Sequence, residues 1–230
     1  MNRNCCVYND FKRPDPALIE RFRAIPVASL DDCMGRLAAV HEDIKPVGKS
    51  GLVGPALTVK VSQGDNLMLH YAMDLVKEGD VLVIDAGGFT GRAIFGGLMV
   101  NYLLYRKIAG MVVDGAIRDL EEIVSTGLPV YARGVSPNGP WKNGPGEVNT
   151  PVQVGGQIVH PGDIVVADAD GMLFVRPEEA PALLERAEKV VATEETVLER
   201  IRKDGSMPRP WVMEKLTALN CQFNDCWKEN

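Results

Sequence analysis

Residues 78–136 alternate short β-branched runs with segments of helical period, and that alternation leaves few folds open. EGDVLVIDAGG (78–88) reads as a buried strand closed by a glycine turn. A helix is expected over roughly 93–108, then the strand GMVVDGAIRD with its exit loop, the short helix LEEIVSTG ended by Gly127, and the strand PVYARGVS. The order βαβαβ implies an α/β fold with a largely parallel layer joined by crossover helices, because parallel neighbours cannot be linked by a tight hairpin. Layers of this kind place ligand groups at strand exits.

The flanks obey other rules. Asp15–Pro16 followed by ALIERFRAI reads as an N-cap, a proline at the first helical position and an amphipathic helix. Ser29 with Asp32 opens a second short helix through Ala38, weakened by Gly35. LVGPALTVKV (52–61) reads as an alternating strand, and Asp65 as the cap of a helix over NLMLHYAMDLV. Between 152 and 175 short strands are separated by Gly-Gly, Pro-Gly-Asp and Asp-Gly turns, which are hairpin signals. Pro177 then opens a long charged helix over about 178–203, ended near Gly205. Residues 1–206 are expected to form one domain. Residues 207–230, with two of the three tryptophans, form an appended arm.

Composition excludes several classes. Hydrophobic residues are 46% and charged residues 24%, ordinary for a globular protein. No apolar run approaches the roughly 18–20 residues of a membrane helix. The net charge of −6 argues against nucleic acid as the primary partner. The N-terminal stretch lacks the apolar core of a secretory signal. The five cysteines have no zinc-ligand spacing, so reduced thiols in a cytoplasm are expected. Cys221 and Cys226 stand either as a metal or redox pair or as ordinary thiols.

Three local signals compete for function. Gly87-Gly88-x-x-Gly91 follows a strand but has Asp85 where a dinucleotide fingerprint needs its first glycine, so a tight turn is the alternative. Gly96-Gly97 inside a helix would cost roughly 2 kcal/mol relative to alanine. Either a neighbouring backbone packs closely there, or the helix starts at Gly97 and the amides of Gly97, Leu98 and Met99 are open to an anion. Arg118-Asp119, at the exit of the strand MVVDGAI, offers a planar fork for a carboxylate and a hard oxygen for Mg²⁺; a solvated ion pair is the alternative. His70 is expected to pack on the apolar face of its helix, and His160 to sit in a turn. Lys107 and Lys142 stand in no pattern that demands a Schiff base.

Gly97, twenty intervening residues, Arg118-Asp119 and then Glu122 resemble the signature of the RraA-like family. Around it SLDDCMG, GPALTVKVSQGDN, DVLVID, VVDGAIRD and VHPGDIVVADADG follow in family-like order, so the resemblance spans about 25–205. It implies a β/β/α swivelling domain, phosphohistidine-domain-like, assembled as a homotrimer or homohexamer with active sites between subunits. It implies the class II 4-hydroxy-4-methyl-2-oxoglutarate / 4-carboxy-4-hydroxy-2-oxoadipate aldolase branch, with oxaloacetate decarboxylation as a side activity. By that resemblance Gly96, Gly97, Leu98 and Met99 bind a pyruvyl carboxylate, Arg118 holds its keto oxygen or carboxylate, and Asp119 ligates Mg²⁺ (or Mn²⁺). Glu195, or Glu194 beside it, comes from a neighbouring subunit. The aldolases tend to carry an acidic residue where this chain has Gly97. The family's ribonuclease E regulators lack the Arg-Asp pair, and they supply the alternative reading of a non-catalytic, protein-binding regulator. An enzyme of the same fold acting on another hydroxy or keto acid is a third.

Overall fold

The structure is a computed structural model and describes residues 5–227. Two compact units divide the chain, Met1–Glu188 and Lys189–Asn230. The first opens with strand β1 (Cys6–Val7) and helix α1 (Pro16–Arg21), whose Asp15 carboxylate accepts from the Ala17 amide at 2.9 Å. Helix α2 (Val27–Cys33) starts before Ser29 and stops short of Ala38, since Gly35 and Arg36 turn left-handed at φ 82° and 63°. Strand β2 (Lys45–Pro46) and the ten-residue β3 (Leu52–Val61) follow. Nearly every residue of β3 is buried, so it is covered on both faces where the sequence suggested alternation.

Helix α3 (Leu67–Met73) has Asn66 at its N-cap in place of the expected Asp65, which stands one residue earlier and accepts from the Leu67 amide at 2.9 Å. Then come β4 (Val81–Asp85), β5 (Ala93–Phe95), α4 (Gly97–Tyr105), β6 (Gly110–Ile117), α5 (Leu120–Thr126) and β7 (Val130–Val135). The expected helix over 93–108 is therefore a short strand followed by a helix that starts at Gly97. Strand β8 (Gly146–Val148), which no sequence pattern announced, precedes two hairpins, β9–β10 (Val152–Val154, Gln157–Val159) and β11–β12 (Ile164–Ala167, Met172–Val175). Helix α6 (Ala180–Asp204) crosses the division between the units, and α7 (Pro210–Ala218) lies in the second unit and buries none of its residues.

The main sheet runs β1-β8-β3-β4-β6-β7-β2; β4, β6 and β7 are parallel as the alternation demanded, and β3 joins them in the same direction. Strand β11 joins antiparallel beside the first half of β3, and β8 beside its last residues. Alternate strand residues feed two cores. Leu57, Val59, Leu82, Ile84, Met111 and Val113 pack with Met68, Leu69, Val100, Leu103 and Ile123 of α3, α4 and α5. Ala56, Val81, Val83, Val112 and Tyr131 pack with Val152, Val154, Val165 and Phe174 of the hairpins. The unit thus has a helical layer, a central sheet and a hairpin layer, and among its described residues no helix is long and apolar enough to cross a membrane.

Candidate active site

Strand β6 delivers Arg118 and Asp119 to the carboxyl edge of the parallel layer. The Arg118 amide donates to the Phe95 carbonyl at 3.1 Å, which fastens the end of β6 to the end of β5 and brings the first turns of α4 and α5 together. Asp119 occupies the N-cap position of α5 with φ 58° and ψ 44°. Left-handed backbone is tolerated better by Asp than by most residues but still costs about 1–2 kcal/mol. Its carboxylate does not cap its own helix. It reaches across to α4 and accepts from the Gly97 amide, Oδ2 to N 3.0 Å.

Of the two explanations of the paired glycines, the second holds. Helix α4 starts at Gly97 with Gly96 as its cap, so neither lies in a helix interior. The close neighbours of both are side chains and not the backbone that the first explanation called for. A Cβ on Gly96 would collide with Asp119 Oδ2 and lie 3.0 Å from Arg118 Cγ, and a Cβ on Gly97 would collide with the Glu122 carboxylate. The expected row of open amides is shorter than the sequence suggested. Asp119 takes the Gly97 amide, and the Met99 amide turns back to the Gly96 carbonyl at 3.1 Å. Leu98 keeps the one amide of that turn without an acceptor among the described residues. Its side chain is exposed, whereas Met99 is buried in the helical-layer core.

Arg118 and Asp119 form a loose pair. Nε lies 3.7 Å from Oδ2, beyond hydrogen-bond reach, and the side chains are 45% and 43% exposed. A tight surface salt bridge would close this gap; the open one leaves the guanidinium free to take a ligand. The loop after β7 crowds it from one side, since a Cβ on Gly139 would come within 3.1 Å of Arg118 Nη1. That loop is held down by Arg92, which donates to the Gly139 carbonyl at 2.8 Å and stacks 4.3 Å over Trp141. No local pattern announces this contact, because it joins segments 47 residues apart.

Glu122 and Asn101 complete the cluster. Asn101 Nδ2 donates both to the Gly97 carbonyl and to Glu122 Oε1, each at 2.9 Å. Their signal in the sequence is spacing alone: Asn101 is four residues after Gly97, and Glu122 three after Asp119, one helical turn in each case.

Among the described residues no group of three or more His, Cys, Asp or Glu could hold a metal ion. One half-exposed carboxylate at a strand exit still fits Mg²⁺, which keeps most of its water shell and is commonly bound through one or two carboxylates plus substrate. Asp119 is the residue that would hold it.

The remaining candidates belong to other segments of the chain. Gly87 and Gly88 form a tight turn at φ 64° and 70°, with the Gly87 amide bonded to Asp85 Oδ1 at 2.9 Å. His70 is exposed, against the expectation that it packs in the core, because α3 turns that position away from the sheet. His160 does sit in the turn before β11, 3.5 Å from Asp163. Glu195 belongs to the second unit and pairs with Arg202 at 3.0 Å, and Glu194 beside it is exposed. The main unit therefore brings together Gly96, Gly97, Leu98, Met99, Arg118 and Asp119, but not Glu195. Cys221 and Cys226 are both exposed and free.

Known proteins agree with this architecture. The RraA-like family, described as Aldolase/RraA, matches residues 20–174. A protein of Halalkalibacterium halodurans named "Putative 4-hydroxy-4-methyl-2-oxoglutarate aldolase" is 38% identical over 86% of this chain and 94% of its own. A solved structure titled as an uncharacterized protein from Pseudomonas syringae superposes with a TM-score of 0.77 at 25% identity, covering 86% of this chain and 93% of that one. The RNA-processing inhibitor RraA from Thermus thermophilus is 31% identical with a TM-score of 0.59, covering 65% of this chain and 92% of its own. By sequence match, fold and the order of its motifs, the chain belongs to the RraA-like family.

Proposed function

We propose that this protein is a divalent-metal-dependent lyase that cleaves a 4-hydroxy-2-oxo acid to pyruvate and a second keto acid, and that it decarboxylates oxaloacetate as a side reaction. The observation that carries this reading is the convergence of Arg118, Asp119 and the first turn of α4 at one half-exposed strand exit, with Arg118 unpaired at hydrogen-bond distance. The names borne by relatives, putative 4-hydroxy-4-methyl-2-oxoglutarate aldolases in several organisms, support it.

Cleavage of such an acid leaves a pyruvate enolate, which is costly unless positive charge faces its oxygen. Arg118 supplies a charge that does not titrate, in a planar fork that matches a carboxylate or an enolate. The free Leu98 amide, at the positive end of α4, adds a donor for the substrate carboxylate. Asp119 is the protein ligand for Mg²⁺ or Mn²⁺, which when bound would supply Lewis-acid stabilisation of the same oxygen. Loss of CO₂ from oxaloacetate yields the same enolate, so one site serves both reactions. The proposal includes a homotrimer or homohexamer in the cytoplasm, with Glu195 of a neighbouring copy near the site.

A panel of 4-hydroxy-2-oxo acids and oxaloacetate, assayed for pyruvate with and without Mg²⁺ or Mn²⁺, tests the reading. Metal-stimulated pyruvate release is the expected result. The RraA-titled structures support a second reading, a regulator that binds another protein. No turnover across the panel, together with capture of a defined protein partner, would replace the first reading with the second.

A further inference from the structure

Arg92 and Arg118 stand on either side of Gly139. Arg92 Nη1 donates to the Gly139 carbonyl at 2.8 Å, and a Cβ on the same glycine would lie 3.1 Å from Arg118 Nη1. One residue of the loop after β7 thus separates two guanidinium groups that come from the start of β5 and the end of β6. Like charges gathered this way repel unless an anion lies with them. Neither has a hydrogen-bonded carboxylate among the described residues: Arg118 meets Asp119 at 3.7 Å, and Arg92 has the Gly139 carbonyl and the Trp141 ring as its partners. A clamp on one carbonyl needs one N–H, and Nε and Nη2 of Arg92 have no acceptor among the described residues. The direction of these donors is set. The guanidinium stacks 4.3 Å over Trp141, whose amide donates to the Gly64 carbonyl at 2.8 Å and whose carbonyl accepts from the Asn66 amide at 3.0 Å. A side chain on Gly64 would press within 3.0 Å of Arg92 Cδ, so glycine there leaves the arginine its place.

We propose that Arg92 binds the carboxylate at the far end of the substrate and so selects dicarboxylic over monocarboxylic oxo acids, a specificity that rests on the lyase reading above for its substrate. The pyruvyl half lies against Arg118 and the Leu98 amide. The carboxylate of the departing half accepts from Nε and Nη2 of Arg92, a planar fork that matches its two oxygens. An anion with a charge at each end relieves the repulsion between the two arginines. Trp141, 55% exposed, lies under the Arg92 guanidinium and keeps water from that face. A substrate with a methyl group in place of the far carboxylate leaves the fork unmatched and forgoes the contact. No bond is made or broken at Arg92, so it is a specificity residue and takes no part in the chemistry at Arg118 and Asp119.

Two oxo acids of equal chain length separate this role from that of a loop clamp. 2-Oxoglutarate and 2-oxopentanoate share the carboxylate and keto oxygen that face Arg118, and the second has a methyl group where the first has its far carboxylate. Titration calorimetry in the presence of Mg²⁺ should show the wild-type protein binding 2-oxoglutarate about tenfold or more tighter than 2-oxopentanoate, the usual worth of a hydrogen bond to a charged group. Arg92→Gln should remove most of that preference by weakening 2-oxoglutarate, with a much smaller change for 2-oxopentanoate. Arg92→Lys, which keeps a donor for the Gly139 carbonyl and loses the fork, should restore only part of the preference. In steady-state kinetics Arg92→Gln should raise KM for 4-hydroxy-2-oxoglutarate far more than for 4-hydroxy-2-oxopentanoate. Parallel weakening of both oxo acids would make Arg92 a clamp for the loop and overturn the role. An unchanged preference in Arg92→Gln, or a wild-type protein that has none or binds neither acid, overturns it as well. If the Arg92-dependent preference is found but no 4-hydroxy-2-oxo acid is cleaved, the lyase reading falls and the carboxylate subsite stands.

Discussion

Asp119, at φ 58°, carries the strain of the site, and its carboxylate touches α4 where its own helix would be expected to use it. Asp119→Asn should abolish metal-stimulated pyruvate release while leaving the fold intact, since the side chain is half-exposed at a strand exit; circular dichroism and assays with EDTA and added Mg²⁺ check this. Full activity of the variant in EDTA would remove the metal from the mechanism. Arg118→Lys keeps the charge and loses the fork. If Arg118 faces the developing enolate, kcat/KM should fall on the order of 10²-fold, mostly in kcat. A mere surface pair would cost about 0–1 kcal/mol of stability and leave the kinetics alone. Gly97→Ala puts a methyl on the Glu122 carboxylate, which is the movable end of a flexible side chain. Unfolding stability should therefore change by no more than about 1 kcal/mol, while metal-stimulated pyruvate release drops, as unfolding curves and steady-state kinetics would reveal.

At the scale of elements, the start of α4 is the informative correction. Local sequence admits one helix from 93 onward, but Ala93–Phe95 pairs with β6 instead, and the Arg118 amide binding the Phe95 carbonyl stops the strand where Gly96 and Gly97 begin the helix. Propensity loses here to a ladder made with residues more than twenty positions away. The turn between β10 and β11 carries a different signature. Asp163 is 2% exposed, accepts from the His160 amide at 2.8 Å and lies 3.1 Å from Arg176, yet Oδ1 has no hydrogen-bond partner. Burial raises its pKa above the ordinary carboxylate value, with Arg176 and His160 opposing. A folded pKa above the unfolded one means that the native state binds the proton more readily, so this group favours folding below about pH 4 and loses that contribution as pH rises through the folded value. Asp163→Asn should therefore gain stability relative to wild type between pH 4 and pH 7, as urea unfolding at both pH values would show; the opposite slope would mean that Arg176 outweighs burial.

For the whole molecule, the expectation is assembly. Leu98, Tyr102 and Tyr105 lie at helical spacing on α4, and Leu98 and Tyr105 are 85% and 84% exposed, an apolar stripe beside a mouth that is itself half-open. Sedimentation velocity should give a trimer or a hexamer, with Tyr105→Asp shifting the distribution towards monomer; a wild-type monomer with full activity would rule out shared sites. Sequence by itself determined the parallel β4-β6-β7 layer, the hairpin turns after 152, the long C-terminal helix and the Arg118-Asp119 pair at a strand exit. Each of these is written in short-range patterns: hydrophobic period, turn residues and order along the chain. It also marked Gly96-Gly97 as a position that needs an explanation. Only the tertiary structure decided what that explanation is, that Asp119 takes the Gly97 amide, that Glu122 fills the space a side chain would occupy, and that Asn101 ties the two helices together. These contacts cross from α4 to α5 through an intervening strand. Their existence depends on how two helix starts are set by the register of β5 and β6, and no periodicity within either segment encodes that distance.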